Sequence, residues 1–508
     1  MLSFLRQWPM PTRTRLAVRC VSTSSHSKQQ AATRPQQAKP FNSIPGPKPL
    51  PLLGNFLDIA KARKSGENLA DFYDKGFKKY GEIMKMTLPG VGPMVIVAHP
   101  DALEEVLRAE GKYPQRDKLF SPKMKWFFDQ HGTPAGLFNE GEDWKRDRVA
   151  ISKQVLPRNV NSYIEGLNPI YTRFSDHLRK IRSEDGLIED FTLLSRKVTM
   201  EATGKFVFGA DLDLLNNPKE DDIKFLDNVN QTFEGMGRLA YELPLYKLYK
   251  NNLYHFYMDA LHGTYVHSSK YANRLQEKLE RGESSELQGM LEQWLREKKL
   301  TTEVAIALSA SMFTAGVHTT AYQSTYLLFE LAKNPEVQER LYQEIQSVVG
   351  ERPPTAQDLE AMPYLRGCIK EGFRVRGAVN SLNRVLSEDA VIHGYHVPAG
   401  VNLVYASYTA SNNDKLYDEP SKFKPERWMR KDGPQQHPFS LLPFGFGPRQ
   451  CYGKRLAELE LKLLLVEMAR NFTLKTSKED LKMIEQLAVV VEEDVPLYFT
   501  DRNLDYIV

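Results

Sequence analysis

The chain has 508 residues, 41% hydrophobic and 26% charged, the composition of a soluble protein with a large core. That balance excludes a disordered chain, a collagen-like fibre and a polytopic membrane protein, and its three cysteines exclude a disulfide scaffold and fit a reducing compartment. Eight of the 68 basic residues precede Asp58, the first acid, leaving 60 basic against 64 acidic residues, so the mildly acidic body gives no case for nucleic-acid binding.

Residues 1–38 are rich in Arg, Ser and Thr and free of acids, the composition of a mitochondrial transit peptide. Their apolar stretches are far shorter than the roughly 20 residues of a spanning helix. Cleavage there removes Cys20. Residues 39–57 carry Pro45, Pro47, Pro49 and Pro51, which favour an extended, semi-rigid hinge. Residues 58–508 show no internal repeat and no further linker, and read as one large domain, mostly α with a minor β region. Ile83 to Ala98 alternates apolar residues around Pro89-Gly90-Val91-Gly92-Pro93, a strand–turn–strand signal. From Pro100 the pattern turns helical, with Leu103, Val106 and Leu107 on one face. Trp144 and Arg148 fall one helical turn apart. Leu243 to Lys250 mixes apolar, aromatic and basic residues, either a segment lying in a membrane interface or a helix packed on the core.

Thr301 to Lys333 lacks proline and has few polar breaks, so it reads as one long buried helix stopped by Asn334-Pro335. Leu308 and Phe313 within it, and Val489 further on, are apolar candidates for pocket walls. Leu456, Leu459, Leu463 and Val466 mark a second core helix. Just before it, Phe444-Gly445-Phe446-Gly447-Pro448-Arg449-Gln450-Cys451-Tyr452-Gly453 places one cysteine in a glycine-rich loop. A thiolate that ligates iron needs backbone N–H groups aimed at its sulfur. Glycines let the backbone approach, and the following helix turns its positive end toward the sulfur. Phe444 is placed to shield that sulfur, and Arg449 to pair with a haem propionate. Cys368 has no such context and reads as core.

On these residues the chain resembles the cytochrome P450 superfamily of haem-thiolate monooxygenases, over essentially everything after the proline-rich hinge. The resemblance implies the superfamily's triangular, mostly α fold, haem b as cofactor, and Cys451 as axial ligand of its iron. Glu371-Gly372-Phe373-Arg374 is similar to the E-x-x-R helix and Phe423 to Trp428 to the meander, which implies a buried triad of Glu371, Arg374 and Arg427. A buried carboxylate needs such paired donors to offset its desolvation. Trp144 to Arg148 resembles the W-x-x-x-R helix. Trp144, Arg148, Arg384 and Arg449 are then propionate contacts, while Gly447 and Gly453 shape the ligand loop.

Ala315-Gly316-Val317-His318-Thr319-Thr320 resembles the oxygen-activation motif. By that resemblance Gly316, beside Ala315, lets the helix distort and opens a groove for O2. Thr319 hydrogen-bonds the dioxygen and helps relay protons to it. The chain departs from the pattern at His318, which stands where an acid is usual. It is either a proton shuttle near neutral pH or a satisfied structural histidine. Val375-Arg376-Gly377 also departs, where a His-Pro or similar pair is common.

Trp144 to Ala150, Leu365 to Glu371 and Cys451 to Glu460 resemble the animal mitochondrial branch. That implies electrons from an adrenodoxin-like ferredoxin with its NADPH-dependent reductase, docked on Arg366, Lys370, Lys454 and Arg455. It also implies peripheral contact with the matrix face of the inner membrane, and a lipophilic substrate of sterol or steroid type. Two rivals stay open: a haem-thiolate isomerase or lyase acting on peroxides, and a non-catalytic haem sensor. Thr319 and the basic patch would be superfluous to either.

Overall fold

In the computed structural model, residues 38–502 are described, apart from 109, 241, 284–287, 430–435 and 486–487; the acid-free leader lies outside them. Seventeen α-helices occur among the described residues, besides five short 3-10 helices. The first nine are α1 (Phe56–Lys64), α2 (Leu69–Tyr80), α3 (Pro100–Arg108), α4 (Phe120–His131), α5 (Gly141–Gln154), α6 (Pro157–Asn161), α7 (Ile164–Ile181), α8 (Phe191–Phe208) and α9 (Glu220–Ala240). They continue as α10 (Asn252–Glu280), α11 (Met290–Glu297), α12 (Thr302–Lys333), α13 (Pro335–Val348), α14 (Ala356–Ala361), α15 (Pro363–Val375), α16 (Ser407–Ser411) and α17 (Lys454–Asn471).

The principal sheet joins β1 (Ile83–Leu88) and β2 (Gly92–Val97) to two later strands. Small two- and three-stranded sheets are built from β3 (Leu187–Ile188), β5 (Ala390–Ile392), β6 (Tyr395–Val397), β8 (Phe472–Lys475), β9 (Met483–Glu485), β10 (Val489–Val491) and β11 (Leu497–Asp501). The later partners in the principal sheet are β4 (Ser381–Val385) and β7 (Asn402–Ala406), giving the order β1-β2-β7-β4. β1 and β2 are antiparallel and turn where Gly90 and Gly92 take φ of 74° and 86°, a region open to glycine. β2 runs parallel to β7.

The expected long helix is α12. Thr301 caps it by accepting from the Val304 N–H, and Asn334-Pro335 ends it. It is long and apolar enough to cross a bilayer, yet 78% of that stretch is buried; it is the spine of the core. α8 packs along it, with Ser195 Oγ donating to the Ala321 carbonyl at 3.0 Å. α15 and α17 close the other side, and Leu456, Leu459, Leu463 and Val466 are all buried.

The proline-rich segment turns out to be a strap rather than a hinge. Lys85 N–H donates to the Pro45 carbonyl at 2.8 Å and Ile44 is buried. A Cβ on Gly46 would fall 2.0 Å from the Lys85 carbonyl oxygen, so glycine alone lets the chain lie this close to β1. Asn55 fastens the far end, accepting from the Thr87 N–H at 2.9 Å.

α12 and α15 touch at one glycine. A Cβ on Gly372 would stand 2.2 Å from Leu327 Cδ2. Gly372→Ala is expected to cost about 1–3 kcal/mol by overpacking, and Leu327→Ala about 2–5 kcal/mol by leaving a cavity. Because the new methyl occupies the vacated space, the double variant should lose less than the sum of the two. Thermal midpoints at one scan rate measure this, and simple additivity would contradict the contact.

Candidate active site

The cysteine loop is closed by its own backbone: Cys451 N–H donates to the Phe444 carbonyl at 2.8 Å. Gly445 and Gly447 take φ of 68° and 71°, and a Cβ on Gly447 would meet Glu110 Oε2 at 2.8 Å. Gly453 has ordinary φ and serves as N-cap of α17. Its hydrogen faces the sulfur, since a Cβ there would sit 4.0 Å from Sγ. Burial pushes the Cys451 thiol up, while the Gly453 and Lys454 N–H groups and the cations Arg116 and Arg148 pull it back. The side chain is open to contact yet deep in the protein. What it faces is a cavity.

That cavity has a volume of about 360 Å³, with Cys451, Phe444 and Leu456 on one wall and Ala315, Gly316 and Thr319 of α12 opposite. This lies within the roughly 300–1,000 Å³ of a small-molecule pocket. Thr319 Oγ1 donates to the Ala315 carbonyl at 2.8 Å, so the hydroxyl is held in place with acceptor capacity left over. α12 passes Gly316 as regular α-helix. The expected distortion is therefore not what makes room; the small side chains of Ala315 and Gly316 do. Phe444 lies edge-on to Phe373 of α15, centroids 5.0 Å apart.

Beneath this loop Glu371 and Arg374 are wholly buried. Arg374 donates to both Glu371 oxygens, at 3.1 and 2.8 Å, and Arg427 Nε donates at 2.9 Å. The Lys424 N–H and Trp428 Nε1 complete the shell at 2.9 and 2.8 Å. Arg374 also donates to the carbonyls of Ser411, Pro420 and Lys422.

The profile of the cytochrome P450 family matches residues 44–499. The chain belongs to the cytochrome P450 family. It is 30% identical to the probable cytochrome P450 49a1 of Drosophila melanogaster, over 89% of this chain and 81% of that protein. The mitochondrial 1,25-dihydroxyvitamin D(3) 24-hydroxylase of Mus musculus is 28% identical over 95% of each chain. The mitochondrial sterol 26-hydroxylase of Rattus norvegicus is 29% identical over 84% of this chain and 83% of its own. The protein is thus a haem-thiolate monooxygenase.

The P450 cavity fits its haem. Trp144 Nε1 is buried without a hydrogen-bond partner, an orphan donor suited to a propionate. Arg148 forms no ion pair among the described residues; its guanidinium lies 4.5 Å from the Tyr452 ring centre and donates to the Gln450 carbonyl at 2.5 Å. Two other expected propionate partners are already engaged. Arg384 pairs with Glu110, and Arg449 pairs with Glu140 and lies 4.0 Å over the Trp144 ring. Burial, partly offset by Glu140, draws the Arg449 pKa down to about 10, so it stays charged near neutral pH. The motif reading missed Arg116, which lines the cavity and has no ion pair among the described residues. It sits on irregular chain positioned by the Gln115–Val385 bridge, and nothing in helical or strand periodicity marks it.

His318 corrects the reading as a shuttle. It is buried away from the cavity and stacks on Phe233 of α9, centroids 4.2 Å apart and planes 2° from parallel. One residue along an α-helix turns the side chain about 100°, so His318 and Thr319 face different neighbours. Burial, then Arg196, pushes its pKa down to about 3, so the ring keeps one N–H and takes up no second proton near pH 7. The same phase error affects the pocket walls. Leu308 and Phe313 are wholly buried in the core, while Ala307, Ala310, Ser311 and Thr314 line the space above Thr319. Val489 is instead tied into the core, accepting from Tyr326 Oη at 2.8 Å.

Three of the four docking candidates surround one carboxylate. Glu458 of α17 feels Lys454, Lys462, Lys370 and Arg455 together. Arg366, one turn before Lys370, donates to the Glu360 carbonyl at 2.5 Å, and Lys462 pairs with the same residue's carboxylate at 3.2 Å.

Because His318 titrates at about 3 when folded and near its ordinary 6.5 when unfolded, the unfolded chain takes up its proton first. Its contribution is absent above pH 6.5, and stability falls as pH drops from there toward 3. At pH 5 the loss is about 2 kcal/mol. His318→Phe should flatten that acid limb and leave product formed per NADPH unchanged. Denaturation from pH 7 to 4.5 measures the first, coupled turnover the second, and an uncoupled variant would restore the shuttle.

Proposed function

We propose that this P450 is a mitochondrial enzyme that hydroxylates a sterol- or steroid-like substrate with O2 and electrons from an adrenodoxin-like ferredoxin. The observation that carries the proposal is the pairing of an apolar chamber above Thr319 with a basic face behind the cysteine loop. Phe120, Phe128, Leu137, Phe233, Met236 and Leu261 give the chamber its large apolar side chains. Its Thr232 and Thr264 hydroxyls lie 3.2 Å apart and also donate to backbone carbonyls of their own helices. A rigid hydrocarbon with few polar groups suits such walls. The relatives named sterol 26-hydroxylase and vitamin D(3) 24-hydroxylase act on lipids of that kind and are named mitochondrial.

Haem bound at Cys451 supplies the oxygen chemistry. This chain's residues do the rest. Cys451 holds the iron, and Arg148, Arg116 and Trp144 Nε1 receive the propionates. Thr319 holds a proton at Oγ1 beside the reacting space, and the apolar lining excludes bulk water. Lys370, Lys454, Arg455 and Arg366 attract an acidic ferredoxin. Leu245, Leu248 and Tyr249 are exposed, flanked by Lys247 and Lys250, and rest in the inner-membrane surface on its matrix side. Residues 1–38 serve as the transit peptide and 58–508 as the catalytic domain.

Two experiments test this. Cys451→Ser should abolish the red-shifted Soret band of the reduced carbon monoxide complex, and an unchanged band would refute the ligand. Arg366→Glu with Lys370→Glu should raise the KM for ferredoxin about tenfold, about 1.4 kcal/mol, with the band intact. An unmoved KM would remove these cations from docking. Product formed without ferredoxin would favour a peroxide isomerase, and no product with any electron donor a sensor.

A further inference from the structure

Where α4 meets α10, two histidines face each other. His131, the last residue of α4, puts Nε2 3.1 Å from Nδ1 of His262 on α10, and the ring centres are 5.3 Å apart. Their neighbours roof the substrate chamber: Phe120 and Phe128 on α4, and Leu261, Thr264 and Tyr265 on α10. His262 is exposed and His131 half-buried, so the pair can be reached from solvent. Gly132 takes the left-handed turn that ends α4. The turn returns Thr133 Oγ1 to 3.1 Å from His131 Nδ1.

We propose that His131 and His262 form a site for a divalent transition metal of the Zn2+ class, which staples α4 to α10 across the roof of the chamber. Two imidazole nitrogens each about 2.0–2.1 Å from one Zn2+ stand about 3.4 Å apart at a tetrahedral angle and about 2.9 Å at a right angle. The observed 3.1 Å lies between, so turning the two rings to aim both nitrogens at one ion completes the geometry without moving the helices. Imidazole suits Zn2+, Cu2+ and Ni2+, and a hydrogen bond on the far ring nitrogen is the usual way of orienting such a ligand. Thr133 provides that bond for His131. In the metal-free pair one ring donates to the other. On binding, the His262 proton stands on Nε2 and the ion takes its place between the rings. Water is available to complete the shell at the exposed His262 side.

The other candidate cluster is built differently. His437 accepts the Phe439 N–H at Nδ1, 3.1 Å away, so its neutral ring carries the proton on Nε2. That nitrogen faces Asp101 at 3.0 Å and Glu104 at 3.7 Å. It donates to carboxylates and is not a ligand.

A staple here would hinder the parting of α4 and α10 without touching haem, and its test stands apart from the substrate assignment. Untagged holoprotein equilibrated with Zn2+ by dialysis should retain one more ion per chain than His262→Ala or His131→Ala. Zn2+ should also slow, at least about fivefold, the Soret shift produced when a lipophilic azole is mixed with wild type, and leave that rate unchanged in both variants. Equal Zn2+ content in all three proteins would overturn the site. Extra Zn2+ with no change in the azole rate would overturn the staple.

Discussion

One carboxylate without solvent exposure organises the half of the molecule behind the cysteine. Glu371 accepts five hydrogen bonds, from Arg374 twice, Arg427, Trp428 and the Lys424 backbone. An ion of that size taken out of water costs several kcal/mol, and only a complete donor shell compensates. The shell ties α15 to the 3-10 turn Pro425–Trp428. α15 in turn carries Phe373 against Phe444, beside the sulfur, and Lys370 on the surface above Trp428. The Phe373–Phe444 contact and the position of Lys370 are thus set by the same buried charge. Arg374 also gathers three carbonyls, one at the end of α16 and two from the loop after it, which the chain could not otherwise satisfy away from water.

α12 works by phase. Nearly all of it is buried, but against different things: its Thr319 side borders the cavity, its His318 side an aromatic wall on α9, and its Leu327 side the glycine of α15. A continuous apolar stretch hides this division, since periodicity identifies a face only when the opposite face is polar.

That explains what could be read in advance. The hairpin at Ile83–Val97, the length and ends of α12 and the core stripe of α17 all follow from local signals: positive-φ glycines, a capping threonine, Asn-Pro and an i, i+3, i+7 spacing. Cys451 and the Glu371 triad were legible because several residue types had to occur together in order. His318 stayed open between shuttle and structural histidine because its motif position speaks of chemistry while its environment is supplied by Phe233, 85 positions earlier. Arg116 and the Glu110 and Glu140 pairings depend on loops brought together by tertiary contacts. The strap failed for a smaller reason: prolines announced an extended chain, and the close approach at Gly46 leaves no trace in composition.

The parallel pairing of β2 with β7 sets a timetable for folding. Met94 meets Asn402 and Val97 meets Tyr405, so the hairpin waits for a partner roughly 300 residues behind it. At the about 5–20 residues per second of synthesis, that interval is about 15–60 s. Throughout it, Val95, Ile96 and Val97, all sealed in the finished fold, present an unpaired apolar edge, the kind of surface on which chains join one another. A chain delivered N-terminus first therefore needs this edge guarded by a holding partner until its last third arrives, and the pace of delivery limits the yield of folded protein.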